Sequence, residues 1–360
     1  MFKSKTAFVT FFPIKPDTMG SSNVVNSRFN FWPNKKKIFQ ISHIKQVKNQ
    51  NLETIYIKKE KPIFKILKLP KLILSINLYL KSAKKKILIV EGASWIFYSF
   101  IVIFFFKIFT SKIKIIYISH SIEAEIRQKY SNKFIYLLTK LLEKLVFNFS
   151  DLSTSVSEKE RRKIKQIYKS KTILLPNGIQ IKNFVKKNKI KQDYIIYTGS
   201  YSYKPNKEAI DYLNKSIMPI LIKKNPNIKL VLTGGGFYKK YPWVINKGVV
   251  PKNDLYNLLF FSKCLCVPLN FGSGTRIKII EALCLGSIVI STKKGIEGIS
   301  LIKKNPPFII NRSKKMANKI LFIIKNNKKL KKKSYSMRKY FLNKYSMKNI
   351  IRKFINEYKI

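Results

Sequence analysis

The chain has 360 residues, of which 46% are hydrophobic and 13% aromatic. At roughly 150 residues per domain, this length predicts two domains, and the apolar content excludes disorder along the whole chain. The formal net charge is +56, because 73 lysines and arginines face only 17 acidic residues. A charge of this size is typical of proteins that bind nucleic acid or an anionic membrane.

The relative numbers of lysines and arginines help to distinguish a nucleic-acid partner from an anionic membrane. The sequence contains 65 lysines and eight arginines, and the lysines are spread from Lys3 to Lys359 instead of forming a block. Proteins that read nucleic acid rely on the bidentate arginine side chain. We therefore expect no nucleic-acid partner and only a general attraction to anionic surfaces, with a basic polyanion-binding protein kept as an alternative.

Few residues are suited to metal or acid-base chemistry. There are two histidines, His43 and His120, and no Asp-x-Asp pair. The three cysteines, Cys264, Cys266 and Cys284, lack the spacing of a zinc site and have no histidine near them. The sequence predicts no metal site, no cofactor and no disulfide framework, which fits a reducing, cytoplasmic compartment.

The longest apolar segment, residues 87–106, is about as long as the roughly 20 residues that a membrane span needs. Glu91 and Gly92 interrupt it. Divided there, it predicts a buried strand over residues 86–91 and a helix over residues 95–109, and a further strand-like segment follows at residues 113–118. A transmembrane span is the alternative, and the phenylalanine-rich helix is also apolar enough to lie on a membrane.

Elsewhere the sequence alternates between helix-like and strand-like patterns. Helices are predicted over residues 133–149, 158–168, 207–223 and 254–261. Strands are predicted over residues 172–175, 194–198, 229–233, 264–269 and 287–291, and residues 7–12, too short for a signal peptide, predict the first strand. This alternation predicts parallel sheets in two doubly wound units. Residues 180–192 are interpreted as the linker, and residues 334–360 as a terminal helical pair.

Ligands of such folds bind beyond the carboxyl ends of the strands, so the loops there are the candidate sites. The loop after residue 269 contains Gly272 and Gly274 and opens a helix that carries Arg276 and Lys278. Glycines allow close approach of backbone, and a helix N-terminus with two cations favours an anion such as phosphate. Glu281 would then accept hydrogen bonds from ribose hydroxyls. The alternative is a solvated pair of Lys278 and Glu281.

Three other loops follow predicted strands. Residues 198–206 have the composition of a ligand loop, whereas the glycines at 234–236 lack the spacing of a dinucleotide fingerprint and predict a flexible turn. Residues 117–123 place His120 at a strand end, where a catalytic role and a structural role are both open.

These motifs together resemble a known family. The segment 248–254, the strand CLCVPL, the run GSGTRIKIIEALCLGSIVIST and the glycines at 295 and 298 are similar to the C-terminal domain of retaining GT-B glycosyltransferases of the family 4 type, the glycosyl transferases group 1. HSIEAEI, SDLSTSVSEKE and LLPNGI in the first half agree with this. The resemblance covers most of the chain, is specific over residues 248–298 and is weaker before residue 86.

The resemblance implies a fold and a domain plan. The expected fold is α/β, with two Rossmann-like doubly wound domains that face each other across a cleft and a C-terminal helix that crosses back to the first domain. The implied limits are 1–185 for an acceptor-binding domain, 186–335 for a donor-binding domain and 336–360 for the helix.

The resemblance also implies site residues. Glu281 matches the second glutamate of the family's E-x7-E pattern, but the first falls on Ser273, and the usual basic pair is replaced by Ser200 and Asn206. Arg276 and Lys278 are therefore expected to neutralise the diphosphate, and His120 to orient the acceptor or the donor sugar. The other expected donor-binding residues are Gly20, Gly199, Val250, Gly274 and Thr275.

The implied function is transfer of a sugar from a nucleotide-sugar donor to a glycan or lipid-linked acceptor, retaining and metal-independent, in cell-envelope polysaccharide biosynthesis. The enzyme would be cytoplasmic, with a possible peripheral contact at the inner face of the membrane. A GT-B protein that binds nucleotide sugar without transfer, epimerase-like or regulatory, is the alternative.

Overall fold

The computed structural model describes residues 2–15, 20–45, 50–92, 94–181, 187, 190–237, 239–272, 274–299 and 307–359. The chain divides into two compact units. The first comprises Met1–Gly178, Ser273–Thr275 and Ile350–Ile360, and the second comprises Ile179–Gly272 and Arg276–Asn349. The first division falls a few residues before the domain limit predicted at residue 185.

The described part of the first unit forms a seven-stranded sheet in the order β3-β2-β1-β4-β5-β6-β7. The strands are β1 (Phe2–Thr10), β2 (Lys35–Ser42), β3 (Leu52–Tyr56), β4 (Ala83–Gly92), β5 (Ile113–Ser119), β6 (Leu152–Ser155) and β7 (Ile173–Leu174). All neighbouring pairs are parallel. β4 is buried over Ile87–Glu91, as expected of a strand covered on both faces.

Helices connect these strands. They are α1 (Gly20–Phe31), α2 (Pro62–Ile66), α3 (Leu69–Lys81), α4 (Ile96–Phe109), α5 (Glu123–Tyr130), α6 (Lys133–Phe149) and α7 (Glu158–Tyr168). The predicted helices over 133–149 and 158–168 are confirmed to the residue. Both begin at a side-chain cap, since Asn132 Oδ1 accepts from Ile135 N and Ser157 Oγ accepts from Glu160 N.

The apolar segment at residues 87–106 is divided, as predicted, between a strand and a helix. β4 ends at Gly92 and α4 begins at Ile96. With 14 residues, α4 is about 21 Å long, shorter than the roughly 30 Å hydrocarbon layer. None of the helices in the described ranges has the length and apolar character needed to span a bilayer.

The described part of the second unit forms a six-stranded parallel sheet in the order β10-β9-β8-β11-β12-β13. The strands are β8 (Tyr194–Thr198), β9 (Lys229–Thr233), β10 (Val244–Asn246), β11 (Cys264–Val267), β12 (Val289–Ser291) and β13 (Phe308–Ile309). The predictions over 194–198 and 229–233 are confirmed to the residue. All three cysteines are buried, free thiols in this core.

The helices of the second unit complete the doubly wound pattern. They are α8 (Lys204–Tyr212), α9 (Met218–Lys224), α10 (Lys252–Phe261), α11 (Ile277–Leu285), α12 (Ser313–Lys325), α13 (Asn327–Ser336), α14 (Arg338–Lys344) and α15 (Met347–Tyr358). From Ile350 onward α15 is counted with the first unit. There the ring of Phe354 lies 6.3 Å from that of Trp32.

Three predictions of local structure need correction. The first strand begins at Phe2 and ends at Thr10, so the predicted bounds 7–12 are shifted. The predicted helix over 207–223 is two helices joined by a π-helical turn, Leu213–Ile217, because Pro219 has no N–H to continue the regular ladder. Residues 334–360 contain parts of three helices instead of a pair. In the predicted linker, residues 182–186 and 188–189 lie outside the described residues.

Candidate functional site

The strand order of the second sheet reverses between β8 and β11. In open parallel sheets, ligands bind beyond the carboxyl ends of the strands at such a reversal. The segments that follow these two strands, residues 199–206 and 268–276, both carry predicted donor-site residues. The second unit therefore brings the two predicted loops to one edge of its sheet.

Glycines let two loops at this edge pack against each other. Gly199 and Gly234 have φ angles of 138° and 109°, which are strained for other residues. Gly199 N donates to Thr233 O at 2.8 Å, and a Cβ at Gly234 would lie 2.5 Å from Gly199 C. The glycines at 234–236 thus allow two loops to pack closely beside the candidate site, although the sequence predicted only a flexible turn there.

Lys278 projects from α11 toward the loop after β8. Its Nζ donates to Asn206 Oδ1 at 3.1 Å and lies 4.0 Å from the centre of the Tyr197 ring. A Cβ at Gly199 would lie 2.8 Å from this Nζ, so a side chain there would displace the ammonium group. Burial lowers the pKa of Lys278 to about 7; Arg276 adds to the effect and Glu281 opposes it.

Asn206 connects this lysine to the rest of the loop. Its Oδ1 also accepts from the Tyr197 hydroxyl at 2.7 Å, and its Nδ2 donates to Ser200 O at 2.9 Å. The family resemblance implies a basic residue at the position of Asn206. In the structure, the ammonium group of Lys278 lies beside that position.

Arg276 is the residue before α11 and lies near the same loop edge. Its Nη2 would be 3.1 Å from a Cβ at Gly272, whose φ is 117°, so the guanidinium folds over the glycine. Burial raises the pKa of Tyr197, and Arg276 acts in the opposite direction, which places its charge close to that ring. Two cations therefore lie at the start of one helix.

Glu281 is 4% exposed and forms an ion pair with Lys252. Lys252 is the first residue of α10 and follows Val250 and Pro251. The ion pair therefore joins Glu281, which is predicted to bind the ribose, to the segment that is predicted to bind the base. Sequence reasoning did not single out Lys252. Its position two residues after Val250, the predicted base-binding residue, could have indicated that it belongs to the site.

The remaining residues of the glycine loop belong to the first unit, except that Ser273 lies outside the described residues. Gly274 N donates to Glu160 Oε1 at 2.8 Å, and Asn177 Nδ2 donates to Thr275 Oγ1 at 2.8 Å. The Gly274 amide, which the sequence assigned to phosphate, therefore has a carboxylate partner here.

His120 lies directly after β5 in the first unit and contacts two buried charged residues. Its Nε2 is 2.6 Å from Glu91 Oε2, and Arg28 Nη1 donates to both Glu91 oxygens at 2.6 Å. Arg28 and Glu91 are 0% exposed, and the His120 side chain is 10% exposed. Burial opposes ionisation of Glu91, but Arg28 and His120 outweigh it, so its pKa is lowered.

Gly20 is the first residue of α1, the helix that also carries Arg28. Gly20 is exposed, and the hydroxyl of Ser22, two residues later, donates to Pro13 O at 2.7 Å. The predicted glycine loop of the first unit is thus the start of a helix whose first residue is exposed.

Residues 192–326 match the family model described as Glycosyl transferases group 1. Among solved structures, the chain is similar to sucrose-phosphate synthase from Thermosynechococcus elongatus, with a TM-score of 0.76, 14% identity and coverage of 99% of this chain and 98% of that one. It is also similar to Anabaena HepE in complex with UDP and glucose, with a TM-score of 0.72, 12% identity and 99% coverage of both chains. The chain has the GT-B fold.

A curated relative matches part of the sequence. It is an uncharacterized 44.6 kDa protein in the cps region of Klebsiella pneumoniae, 25% identical over 203 residues. The match spans about half of each protein, 52% of this chain and 52% of the relative.

One pairing in this GT-B chain, that of Arg28 with Glu91, was not apparent from its sequence. Arg28 and Glu91 are 63 residues apart, and neither lies in a motif that singles it out. No cluster of three or more His, Cys, Asp or Glu side chains in the described ranges has the arrangement of a metal site.

Proposed function

We propose that this protein is a glycosyltransferase that uses a nucleotide-sugar donor. The observation that carries the proposal is the pair Arg276 and Lys278, at the reversal point of the second sheet and inside the matched family region. Two cations at the start of a helix, beside glycines whose lack of a side chain leaves room for them, suit a diphosphate.

The donor is proposed to bind mainly to the second unit. Arg276 and Lys278 neutralise the charge of the diphosphate. Glu281 accepts hydrogen bonds from the ribose hydroxyls, and the backbone of Val250 contacts the base. Gly199 and Ser200 line the phosphate side. Ser273, Gly274, Thr275 and Gly20 complete the proposed donor-binding set.

The mechanism we propose is electrostatic. The bond between the sugar and the diphosphate oxygen breaks while the acceptor hydroxyl oxygen bonds to the sugar, and the hydroxyl proton passes to the departing diphosphate. Charge develops on the diphosphate as it leaves, and preorganised cations at that position lower the barrier. Retention of configuration, membership of family 4 and independence of a divalent metal, for which the absence of Asp-x-Asp is the support, are parts of the proposal.

The first unit is proposed to bind the acceptor, with His120 in contact with a substrate hydroxyl. A cell-envelope glycan or lipid-linked sugar is the proposed acceptor class, in line with the cps-region location of the curated relative. The alternative is a GT-B protein that binds nucleotide sugar without transfer, epimerase-like or regulatory, and the substitution at Ser273 is the feature that favours it.

We also propose a cytoplasmic location with peripheral attachment to an anionic membrane through α4 and α6. These helices expose large apolar side chains: Phe104 37%, Ile108 56%, Phe109 69%, Phe134 73%, Leu137 50% and Leu141 54%. Contiguous exposed apolar surface marks an interaction site. Lys107, Lys133, Lys140 and Lys144 lie on the same helices, and each lysine near an anionic surface adds about 1 kcal/mol.

A donor screen tests the proposed function. UDP-, GDP-, ADP- and CMP-sugars are added to the protein, and a selective rise in melting temperature identifies the donor, because binding stabilises the native state. Arg276→Ala should abolish donor hydrolysis and transfer at saturating donor, whereas Arg312→Ala, at an exposed position, should not. No stabilisation at millimolar concentration by any donor would contradict the proposal, and binding without transfer would favour the alternative.

A further inference from the structure

Two ionisable side chains of the first unit meet around the carboxylate of a third, and all three come from separate elements. Arg28 comes from α1, Glu91 from the end of β4, and His120 from the residue after β5. The register of β4 and β5 pairs Gly92 with Ser119, which puts Glu91 and His120 at the same sheet edge. We propose that Arg28 and Glu91 are positioning residues that hold His120 as a neutral imidazole protonated on Nε2, which leaves Nδ1 to accept a hydrogen bond from a substrate hydroxyl.

The direction of the hydrogen bond follows from the charge of Glu91. An ionised carboxylate only accepts hydrogen bonds, so the proton in the 2.6 Å contact belongs to His120 Nε2. The charge of Arg28, which lowers the pKa of Glu91, supports the ionised form. Within the described part of the chain no group bonds to His120 Nδ1, which in the neutral ring carries a lone pair.

The arginine decides the charge of the imidazole. A buried carboxylate alone, in contact with an imidazole, would favour the imidazolium form. Arg28 already compensates Glu91 with hydrogen bonds to both oxygens. The second cation is then not required, so the imidazole stays neutral.

The other ionisable groups on the surrounding elements do not change this balance. Glu123 on α5 is paired with Arg127 at 2.7 Å, and Glu160 on α7 accepts from the Gly274 amide. Tyr117 on β5 is neutral, because burial raises its pKa well above the usual value and nearby carboxylates add to this.

The inference rests on the proposed function only for the substrate whose hydroxyl contacts Nδ1. The state of His120 is testable in the free protein, because the sequence has only two histidines. Nitrogen-15 labelling of histidine and long-range ring correlations report which nitrogen carries the proton, and His43→Gln assigns the two rings. For His120 at pH 7.5 we expect a protonated Nε2 and an unprotonated Nδ1. A proton on Nδ1, a doubly protonated ring or an averaged pair of tautomers overturns the proposal.

Variants test the separate roles. In Glu91→Gln, Arg28 should attract the amide oxygen and turn the NH2 toward His120, which shifts the proton from Nε2 to Nδ1. In Arg28→Met, the imidazole should be doubly protonated at a pH at which the wild type carries one proton. An unchanged tautomer in Glu91→Gln together with an unchanged charge in Arg28→Met contradicts the proposal.

Because both residues are fully buried, either single variant is at risk of unfolding. The double variant Arg28→Met/Glu91→Gln leaves no unpaired charge, and in it we expect a neutral His120 whose tautomer is no longer fixed. A double variant that keeps the wild-type Nε2–H form contradicts the proposal.

Activity separates this inference from the proposed function. In folded Glu91→Gln, kcat should fall at least tenfold while the KM for the donor is unchanged. If the wild type has the expected tautomer but no donor is turned over, only the transferase proposal fails. If transfer occurs with the other tautomer, only this inference fails.

Discussion

Lys278 Nζ donates a hydrogen bond to Asn206 Oδ1, although the two residues are 72 positions apart. The ammonium group thus extends from α11 to the position beside the β8 loop where the resemblance to group 1 glycosyl transferases leads us to expect a basic residue. Asn206 in turn is fixed by Tyr197 and by the backbone of Ser200. Helix α11 and the loop after β8 therefore together fix the position of this ammonium group.

Removal of this charge should weaken donor binding. For Lys278→Met we expect a loss of about 2 kcal/mol, roughly 30-fold in Kd for the nucleoside diphosphate, since a hydrogen bond to a charged group is lost. Titration calorimetry measures it. Adding Asn206→Lys in the same chain should restore part of the affinity, and Lys207→Met, an exposed lysine on α8, is the matched control. Unchanged binding in Lys278→Met would remove this lysine from the donor site.

Donor affinity should depend on pH through the same group. Burial lowers the pKa of Lys278 to about 7, and a bound diphosphate favours the protonated form. Affinity should therefore be highest below pH 7 and fall above it, by up to tenfold per pH unit, until the raised pKa of the bound state is reached. Calorimetry from pH 6 to 9 tests this, and the dependence should disappear in Lys278→Met. The same slope in that variant would assign the proton to another group.

Glu281 should discriminate nucleotides from free diphosphate. If its carboxylate binds ribose hydroxyls, Glu281→Gln should weaken nucleoside diphosphate binding by about 1.5 to 3 kcal/mol and leave inorganic pyrophosphate binding unchanged. Glu357→Gln, on α15, is the control. Equal losses for both ligands would indicate that Glu281 acts on the phosphate side or only through Lys252.

Gly234 should tolerate no side chain. In Gly234→Ala the new Cβ would lie 2.5 Å from the backbone of Gly199, at a φ of 109°. We expect a loss of stability of about 2 kcal/mol or more, because both backbone strain and a clash must be relieved. Gly235→Ala is the matched control, since its nearest neighbour would be Val249 Cγ2 at 3.7 Å. Equal melting temperatures for the two variants would show that the loops separate at little cost.

The exposed faces of α4 and α6 should bind anionic lipid. We expect the protein to sediment with vesicles that contain phosphatidylglycerol and not with pure phosphatidylcholine. Phe109→Ser with Phe134→Ser should weaken this by about 2 kcal/mol or more, because two large apolar side chains no longer leave water. Phe322→Ser, 46% exposed on α12, is the control. Vesicle binding that is unaffected by the pair would move the contact elsewhere.

The sequence predicted best those elements whose ends carry their own signals. α6 and α7 begin at capping side chains, and β8 and β9 are apolar runs bounded by polar residues, so local chemistry decides where they start. The region before residue 86 was mostly unassigned. β2 begins with three lysines and β3 is a short edge strand, so neither has an apolar pattern that distinguishes it from a loop.

The sequence by itself determined the alternating α/β architecture and the loop and helix that carry Arg276, Lys278 and Glu281, since the spacing of apolar residues, glycines and caps acts over a few residues. Only the tertiary structure decided which partners the charged side chains have. Lys278 pairs with Asn206, Glu281 pairs with Lys252, and both Arg28 and His120 contact Glu91. Such pairs depend on which strands become neighbours and on burial, which excludes water and forces each charge to find a partner.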